Sequence, residues 1–90
     1  MRYCALCGST KWIERHHIFG GALRKKSEKY GLVVDLCHSC HNESPNGVHH
    51  NAKQMLKLHR YGQLKAMQEN NWSIEDFRKE FRKNYLDTED

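Results

Sequence analysis

Proline is almost missing from this 90-residue chain, in which Pro45 is the single example. The chain also lacks internal repeats, low-complexity segments and any linker-like stretch. A chain of this length without a linker predicts a single domain over residues 1–90. No apolar run approaches the roughly 18 residues of a membrane span, which argues against a transmembrane helix and a membrane partner.

The first ten residues, MRYCALCGST, lack the apolar segment that a signal peptide carries. We therefore expect a cytoplasmic protein in a reducing compartment. In such a compartment, paired cysteines favour metal binding over disulfide formation.

Apolar side chains are also scarce, at 38% of the chain with a mean hydropathy of −0.92. A small chain with so few apolar residues is expected to bury a thin core. Chains of this kind usually need a metal ion or disulfides to hold their fold.

The composition changes near residue 50. Residues 1–50 hold all four cysteines, six of the seven histidines and five of the six glycines. In this part, KWIERHHIF and LVVDLC predict short strands, and HSCHNES predicts a short helix that SPNG ends. Residues 51–90 predict a helical extension, so the fold class is α+β.

Two helices are predicted in the extension. The apolar stripe of the first consists of Met55, Leu56, Leu58, Tyr61, Leu64 and Met67, with Gly62 weakening the helix. In the second, Ser73 and Asp76 form a capping-box variant. Its apolar face contains Trp72, Phe77, Phe81 and Tyr85. Helical spacing favours core packing for these aromatics over a base-stacking surface.

The cysteines form two C-x-x-C pairs, Cys4 with Cys7 and Cys37 with Cys40. Two such pairs can place four thiolates tetrahedrally around one structural Zn²⁺, with no position open for chemistry. Reduced, unliganded cysteines are the alternative. A redox role is disfavoured because the βαβ setting of a thioredoxin-type pair is absent.

Five of the six histidines in residues 1–50 form the candidate set: His16, His17, His41, His49 and His50. On a strand, His16 and His17 point to opposite faces, so both cannot pack into one core. Imidazole is the commonest protein ligand for transition metals, and it can also accept a proton near neutral pH. The pair therefore predicts one metal ligand and one general base.

The segments ERHHIFGG and GLVVDLCHSCHNESPNGVHH, joined by a basic connection, resemble the HNH (His-Me finger, ββα-metal) endonucleases. More narrowly, they resemble small HNH proteins encoded by phages and prophages of Gram-positive bacteria. The likeness covers residues 3–50 and extends loosely over residues 70–86. It implies a zinc-stapled, treble-clef-like ββα-metal core at about 1–50, with C-terminal helices at about 51–90.

The same resemblance implies a metal-dependent endonuclease that hydrolyses DNA phosphodiester bonds. We expect it to nick single strands with low sequence specificity, in the host cytoplasm if a phage encodes it. RNA is an alternative substrate, and double-strand cleavage would need a homodimer. The rival hypothesis is a non-catalytic zinc module that binds nucleic acid or a phage or recombination protein.

Carried onto this chain, the family pattern makes His17 the general base. His16 and His41 become ligands of the catalytic ion, with His49 as the third. His50 is the alternative to His49, and Asn42 is the alternative to His41.

The central Asn of the family is missing, because Leu32 stands at its place five residues before Cys37. Another group, such as a backbone carbonyl, would then orient His17. The family uses Zn²⁺, Ni²⁺, Mn²⁺ or Mg²⁺ at the catalytic site. Histidine ligands favour a transition metal over Mg²⁺, which prefers oxygen ligands.

Fifteen Lys and Arg against 11 Asp and Glu give a net charge of +4 and a pI near 9.0. Part of this excess lies in the connection between the predicted strands, at Arg24, Lys25 and Lys26. These side chains can bind phosphates of a nucleic acid. An ordinary solvated loop accounts for them equally well.

Overall fold

A computed structural model describes residues 2–43 and 47–86. Its helices and strands have the following bounds: β1 Ile13–His17, α1 Arg24–Lys29, β2 Val33–Cys37, α2 His38–Asn42, α3 Ala52–Asn70 and α4 Ile74–Phe81. The α+β fold class predicted from the sequence is confirmed, with two strands and several helices. Most of SPNG, the predicted break, occupies residues 44–46, which lie outside the described residues.

Strands β1 and β2 form an antiparallel hairpin in which Ile13 pairs with Cys37 and His17 with Val33. The β-branched side chains of Ile13, Val33 and Val34 suit a pleated, partly buried surface. Successive side chains of β1 alternate between faces. As a result, His16 is 5% exposed and buried, whereas His17 is only partly buried.

Part of the basic connection between the strands is helical. A 3-10 turn at Gly21–Leu23 leads into α1, where the sequence was interpreted as a polar connection. The lysines and glutamate in this segment are good helix formers. Behind them, Gly31 adopts a φ of +70°, a conformation that glycine adopts without strain and that allows the chain to turn into β2.

Helix α3 is continuous over 19 residues, so Gly62 does not break it. The predicted stripe is wrong at two positions, since Leu64 is 53% exposed and Tyr61 is 49% exposed. Leu58 is buried as predicted, and Gly62, Gln63 and Ala66 complete the buried face. Small and polar residues serve here because α3 approaches the end of β1 closely at Gly62.

Helix α4 begins with the predicted capping box. The Ser73 hydroxyl accepts a hydrogen bond from the Asp76 amide, and the Asp76 carboxylate accepts one from the Ser73 amide. Beyond it, Phe77, Phe81 and Tyr85 are buried against Phe19. Core packing, rather than a base-stacking surface, is therefore confirmed for these three aromatics.

Two hydrophobic clusters connect the hairpin with the C-terminal helices. The larger contains Ile18, Phe19, Leu32, Ala66, Phe77, Phe81 and Tyr85, and the smaller contains Cys4, Leu36, Cys37, Val48 and Leu58. Both clusters therefore draw on the two sequence halves. Across residues 2–43 and 47–86, no helix combines the length and apolarity needed to cross a membrane.

Candidate metal centres and the adjoining cleft

The four cysteines meet as their spacing predicted. The Sγ atoms of Cys4, Cys7, Cys37 and Cys40 all lie within 4.8 Å of one another. Cys7 and Cys37 approach to 3.6 Å between sulfurs. Sulfurs about 2.3 Å from one tetrahedral Zn²⁺ are separated by about 3.8 Å, so this cluster could hold a structural ion such as zinc.

Backbone amides support the sulfurs as thiolates. The amides of Leu6 and Cys7 donate to Cys4 Sγ at 3.4 and 3.5 Å, and the Cys40 amide donates to Cys37 Sγ at 3.5 Å. Burial raises the pKa of Cys4, but hydrogen bonds from backbone amides outweigh it and lower the pKa to about 6. Burial and the neighbouring thiols raise the pKa of Cys40. Four thiolates this close together would repel one another, and a divalent cation would offset that repulsion. The donor set therefore fits a bound cation.

A second cluster contains the histidines that the family pattern indicates. Ring nitrogens of His16, His41 and His49 lie within 4.8 Å of one another. The Nε2 atoms of His41 and His49 are 3.1 Å apart. Nitrogens about 2.0 Å from one tetrahedral ion are about 3.3 Å apart, so this spacing suits two ligands of one ion.

The lowered pKa values of His16 and His49 also suit metal ligands. Burial, followed by the charges of His41 and His49, lowers the pKa of His16 to about 4. Burial likewise lowers the pKa of His49. Within residues 2–43 and 47–86, the buried Nε2 of His16 has no hydrogen-bond partner. A neutral ring with an unpaired, buried nitrogen is what an imidazole ligand requires.

Glu14 orients His41 from the side away from the cluster. Its carboxylate lies 2.7 Å from Nδ1 of His41 and 3.0 Å from Nδ1 of His38. These hydrogen bonds lower the pKa of Glu14, with His41 the larger influence. Because Nδ1 of His41 is engaged, Nε2 faces His49. Carboxylates that hold a histidine in this way are common behind metal ligands.

His17 contacts a different carboxylate. Its Nε2 lies 2.6 Å from Glu28 Oε2, and Arg15 donates to Glu28 Oε1 at 2.8 Å. The hydrogen bond from His17 is the main influence that lowers the pKa of Glu28, and Arg15 adds to it. The adjacent histidines therefore have separate surroundings, as the alternation of β1 predicts.

The histidine cluster borders a cleft of about 570 Å³. His17 and His59 also line it, together with Arg15 and Arg24. A second cavity of about 540 Å³ is lined by Lys25 and Glu28, and shares Arg15, His17 and Arg24 with the cleft. Cationic side chains thus line both cavities beside His17, and such side chains can bind phosphate oxygens.

Lys26 differs from its two neighbours. Its Nζ donates to the backbone carbonyl of Glu80 at 2.9 Å and pairs with the Glu80 carboxylate at 3.0 Å. Tyr30 donates to the same carboxylate at 3.0 Å. Lys26 therefore joins α1 to α4, while Arg24 and Lys25 line the cavities.

The structure separates some alternatives that the sequence left open. It places His49 in the histidine cluster, whereas His50 is not part of it. Sequence reasoning missed Glu14, Glu28, Arg15 and His59. Glu14 and Arg15 lie on the same predicted strand as the histidines, so alternation was a usable signal for them. The contact of Glu28 spans 11 residues and had no such signal.

No family model, curated protein or solved structure matches this chain. The two clusters make it a candidate metal-binding protein, with four cysteines at one centre and three histidines at the other.

Proposed function

We propose that this protein is an HNH-type (His-Me finger, ββα-metal) endonuclease that hydrolyses DNA phosphodiester bonds with a divalent metal ion. The main support for this proposal is the cluster of His16, His41 and His49. It lies beside His17 in a cleft lined by Arg15 and Arg24. In this proposal, the cysteine cluster holds a structural zinc ion. The hairpin and α2 form the ββα-metal core, and α3 and α4 extend it.

The residues divide the work of hydrolysis. When bound, a divalent ion supplies electrostatic stabilisation for the negative charge on the phosphate and on the leaving 3′ oxygen. His17 accepts a proton from the water whose oxygen attacks phosphorus. The bond from phosphorus to the 3′ oxygen then breaks, that oxygen takes a proton from a solvent water molecule, and the products are a 3′ hydroxyl and a 5′ phosphate. Arg15 and Arg24 hold non-bridging phosphate oxygens.

The substrate is DNA in this proposal because a phosphodiester backbone suits a cleft flanked by arginines. We infer little sequence preference, since contacts with phosphates carry no base information. One cluster cuts one strand, so nicking is the elementary event. The histidine donors favour Zn²⁺, Ni²⁺ or Mn²⁺ over Mg²⁺ as the catalytic ion.

The deciding experiment is cleavage of supercoiled plasmid by zinc-loaded protein, with Mg²⁺, Mn²⁺, Ni²⁺ or Zn²⁺ added in turn. His17→Ala should lose nicking by about 10²- to 10⁴-fold, because that is the usual contribution of a general base. Its zinc content should stay that of the wild type. A single-stranded RNA of matched length tests the alternative substrate.

His49 and His50 offer a matched pair of variants for the same assay. His49→Ala should lose nicking together with the second bound ion, and His50→Ala should keep both. Equal cleavage by the wild type and His17→Ala would exclude His17 as the general base. Absence of cleavage with every ion would favour the rival hypothesis of a non-catalytic zinc module.

A further inference from the structure

The ring of His17 lies between the cleft and the second cavity, since it lines both. Its Nε2 is engaged by Glu28 Oε2 at 2.6 Å. A neutral imidazole has one donor nitrogen and one acceptor nitrogen. A carboxylate at Nε2 favours the proton on that nitrogen and leaves the lone pair on Nδ1.

Glu28 is held both at its carboxylate and through the backbone of α1. Arg15, two residues before His17 on the same face of β1, donates to Oε1 at 2.8 Å. Next to Glu28, the buried Ser27 fixes the backbone of α1. Its hydroxyl donates to the Leu32 carbonyl at 2.6 Å and accepts from the Phe19 amide at 3.2 Å.

We propose that Glu28 is the positioning residue that fixes the tautomer and ring orientation of His17. This inference rests on the proposed function, in which His17 is the general base. The side chain of Glu28 takes the part that sequence reasoning left to a backbone carbonyl in the absence of the central Asn.

The first test needs no substrate. In zinc-saturated, ¹⁵N-labelled protein, long-range ¹H–¹⁵N spectra report which ring nitrogen of each histidine carries the proton. We expect His17, assigned by comparison with His17→Gln, to carry it on Nε2. In Glu28→Ala, the His17 signals should shift toward the averaged values of two exchanging tautomers.

The second test measures plasmid nicking by the same proteins. Glu28→Ala should lower kcat about 10- to 100-fold, the usual effect of removing a group that orients a site residue, with KM within about 3-fold. Formate, a small carboxylate, should restore part of that kcat without accelerating the wild type. Glu80→Ala is the matched control, because Glu80 also binds a residue of α1 but does not touch His17.

The outcomes separate the two proposals. Suppose that the wild type nicks plasmid. Unchanged His17 signals in Glu28→Ala, or a kcat of Glu28→Ala equal to that of the wild type, would then overturn the role of Glu28 and leave the endonuclease proposal standing. A wild type that never cuts would overturn the endonuclease proposal. The ¹⁵N spectra would still decide whether Glu28 fixes the tautomer of His17.

Discussion

Ser27 shows how one small buried residue supports the candidate site. Its hydroxyl bridges the amide of Phe19 and the carbonyl of Leu32. Both ends of that bridge are buried, and Phe19 lies two residues beyond His17. The hydroxyl therefore connects the end of β1, α1 and the start of β2.

We predict that Ser27→Ala lowers the free energy of unfolding by about 1–3 kcal/mol. The Leu32 carbonyl keeps its bond from the Ile18 amide, but the buried Phe19 amide loses its acceptor. Urea unfolding of the zinc-loaded protein measures the change. The exposed Ser39→Ala should stay within about 0.5 kcal/mol of wild type, and an equal effect of both would contradict the assignment.

His59 is a second residue whose surroundings have a measurable consequence. Its ring stacks on the Phe19 ring, with centroids 5.2 Å apart, and its centroid lies 4.6 Å from that of the Tyr85 ring. Burial lowers its pKa below the ordinary 6.5, against a hydrogen bond to the Ile18 backbone that raises it. The unfolded chain then binds a proton more readily than the folded protein.

His59 should therefore make stability depend on pH. Its contribution is complete above about pH 6.5 and is lost as the pH falls from that value through the lowered pKa of the folded state. His59→Phe keeps the aromatic stack and removes the titration. At constant zinc content, its unfolding free energy should fall less steeply with acid than that of wild type, and parallel curves would contradict the prediction.

At this scale, the cysteine spacing predicted the sulfur cluster because that spacing reflects ligand chemistry, and the family resemblance indicated the three histidines of the imidazole cluster. Cys4, Cys37 and His41 needed no tertiary information to be selected. The supporting carboxylates were missed, because Glu28 meets His17 only after the connection between the strands forms a helix. A glutamate among lysines looks like an ordinary surface charge until that helix is known.

Helix α3 shows at the scale of elements how close contact overrides pattern. A Cβ atom on Gly62 would lie 2.7 Å from Ile18 Cγ2 and 3.0 Å from Phe19 Cε2. Glycine therefore lets the helix approach the residues that follow His17. The same approach turns Leu64 and Tyr61 outward, so an apolar count alone misplaced the buried face.

We predict that Gly62→Ala destabilises the protein although alanine is the better helix former. Crowding of a packed core costs about 1–3 kcal/mol, whereas the gain in helix propensity is about 1 kcal/mol. Thermal unfolding should show a lower midpoint. Leu64→Ala, an exposed change on the same helix, should change stability by less than about 0.5 kcal/mol, and a stabilised Gly62→Ala would refute the close packing.

Helix α1 has one side that faces the cavities and another that binds α4. We predict that Arg24→Ala and Lys25→Ala each weaken DNA binding and reduce the slope of log affinity against log salt by about 1. Lys26→Ala should leave the slope unchanged and lower stability, since Lys26 pairs with Glu80. Fluorescence anisotropy over a salt series distinguishes them, and a reduced slope for Lys26→Ala would contradict the division.

On the scale of the whole molecule, the cysteine cluster connects the N-terminal segment that carries Cys4 and Cys7 with the hairpin and α2. Apparent binding energies of structural zinc reach about 10–16 kcal/mol in small domains. Total domain stability is about 5–15 kcal/mol, so zinc at this cluster can decide whether the chain folds. The histidine cluster shares one element with the cysteine cluster, because α2 carries both His41 and Cys40.

We predict that Cys37→Ser loses its structural zinc and also most of its far-ultraviolet circular dichroism. His16→Ala should keep the dichroism and one zinc per chain, because it removes a ligand of the second centre only. Elemental analysis beside dichroism measures both quantities. A folded, zinc-free Cys37→Ser protein would show that the cysteines are not a structural site.

Cys40 and His41 are neighbours on the five-residue helix α2, and one belongs to each cluster. An ion bound by the sulfurs would hold that helix, together with the hydrogen bond between Glu14 and His41, at the angle that brings His41 against His16 and His49. We therefore expect metal loading to be sequential, with the thiolate site filling first. As the endonuclease that we propose, a newly made chain would then remain unable to cut nucleic acid until its own folding is complete.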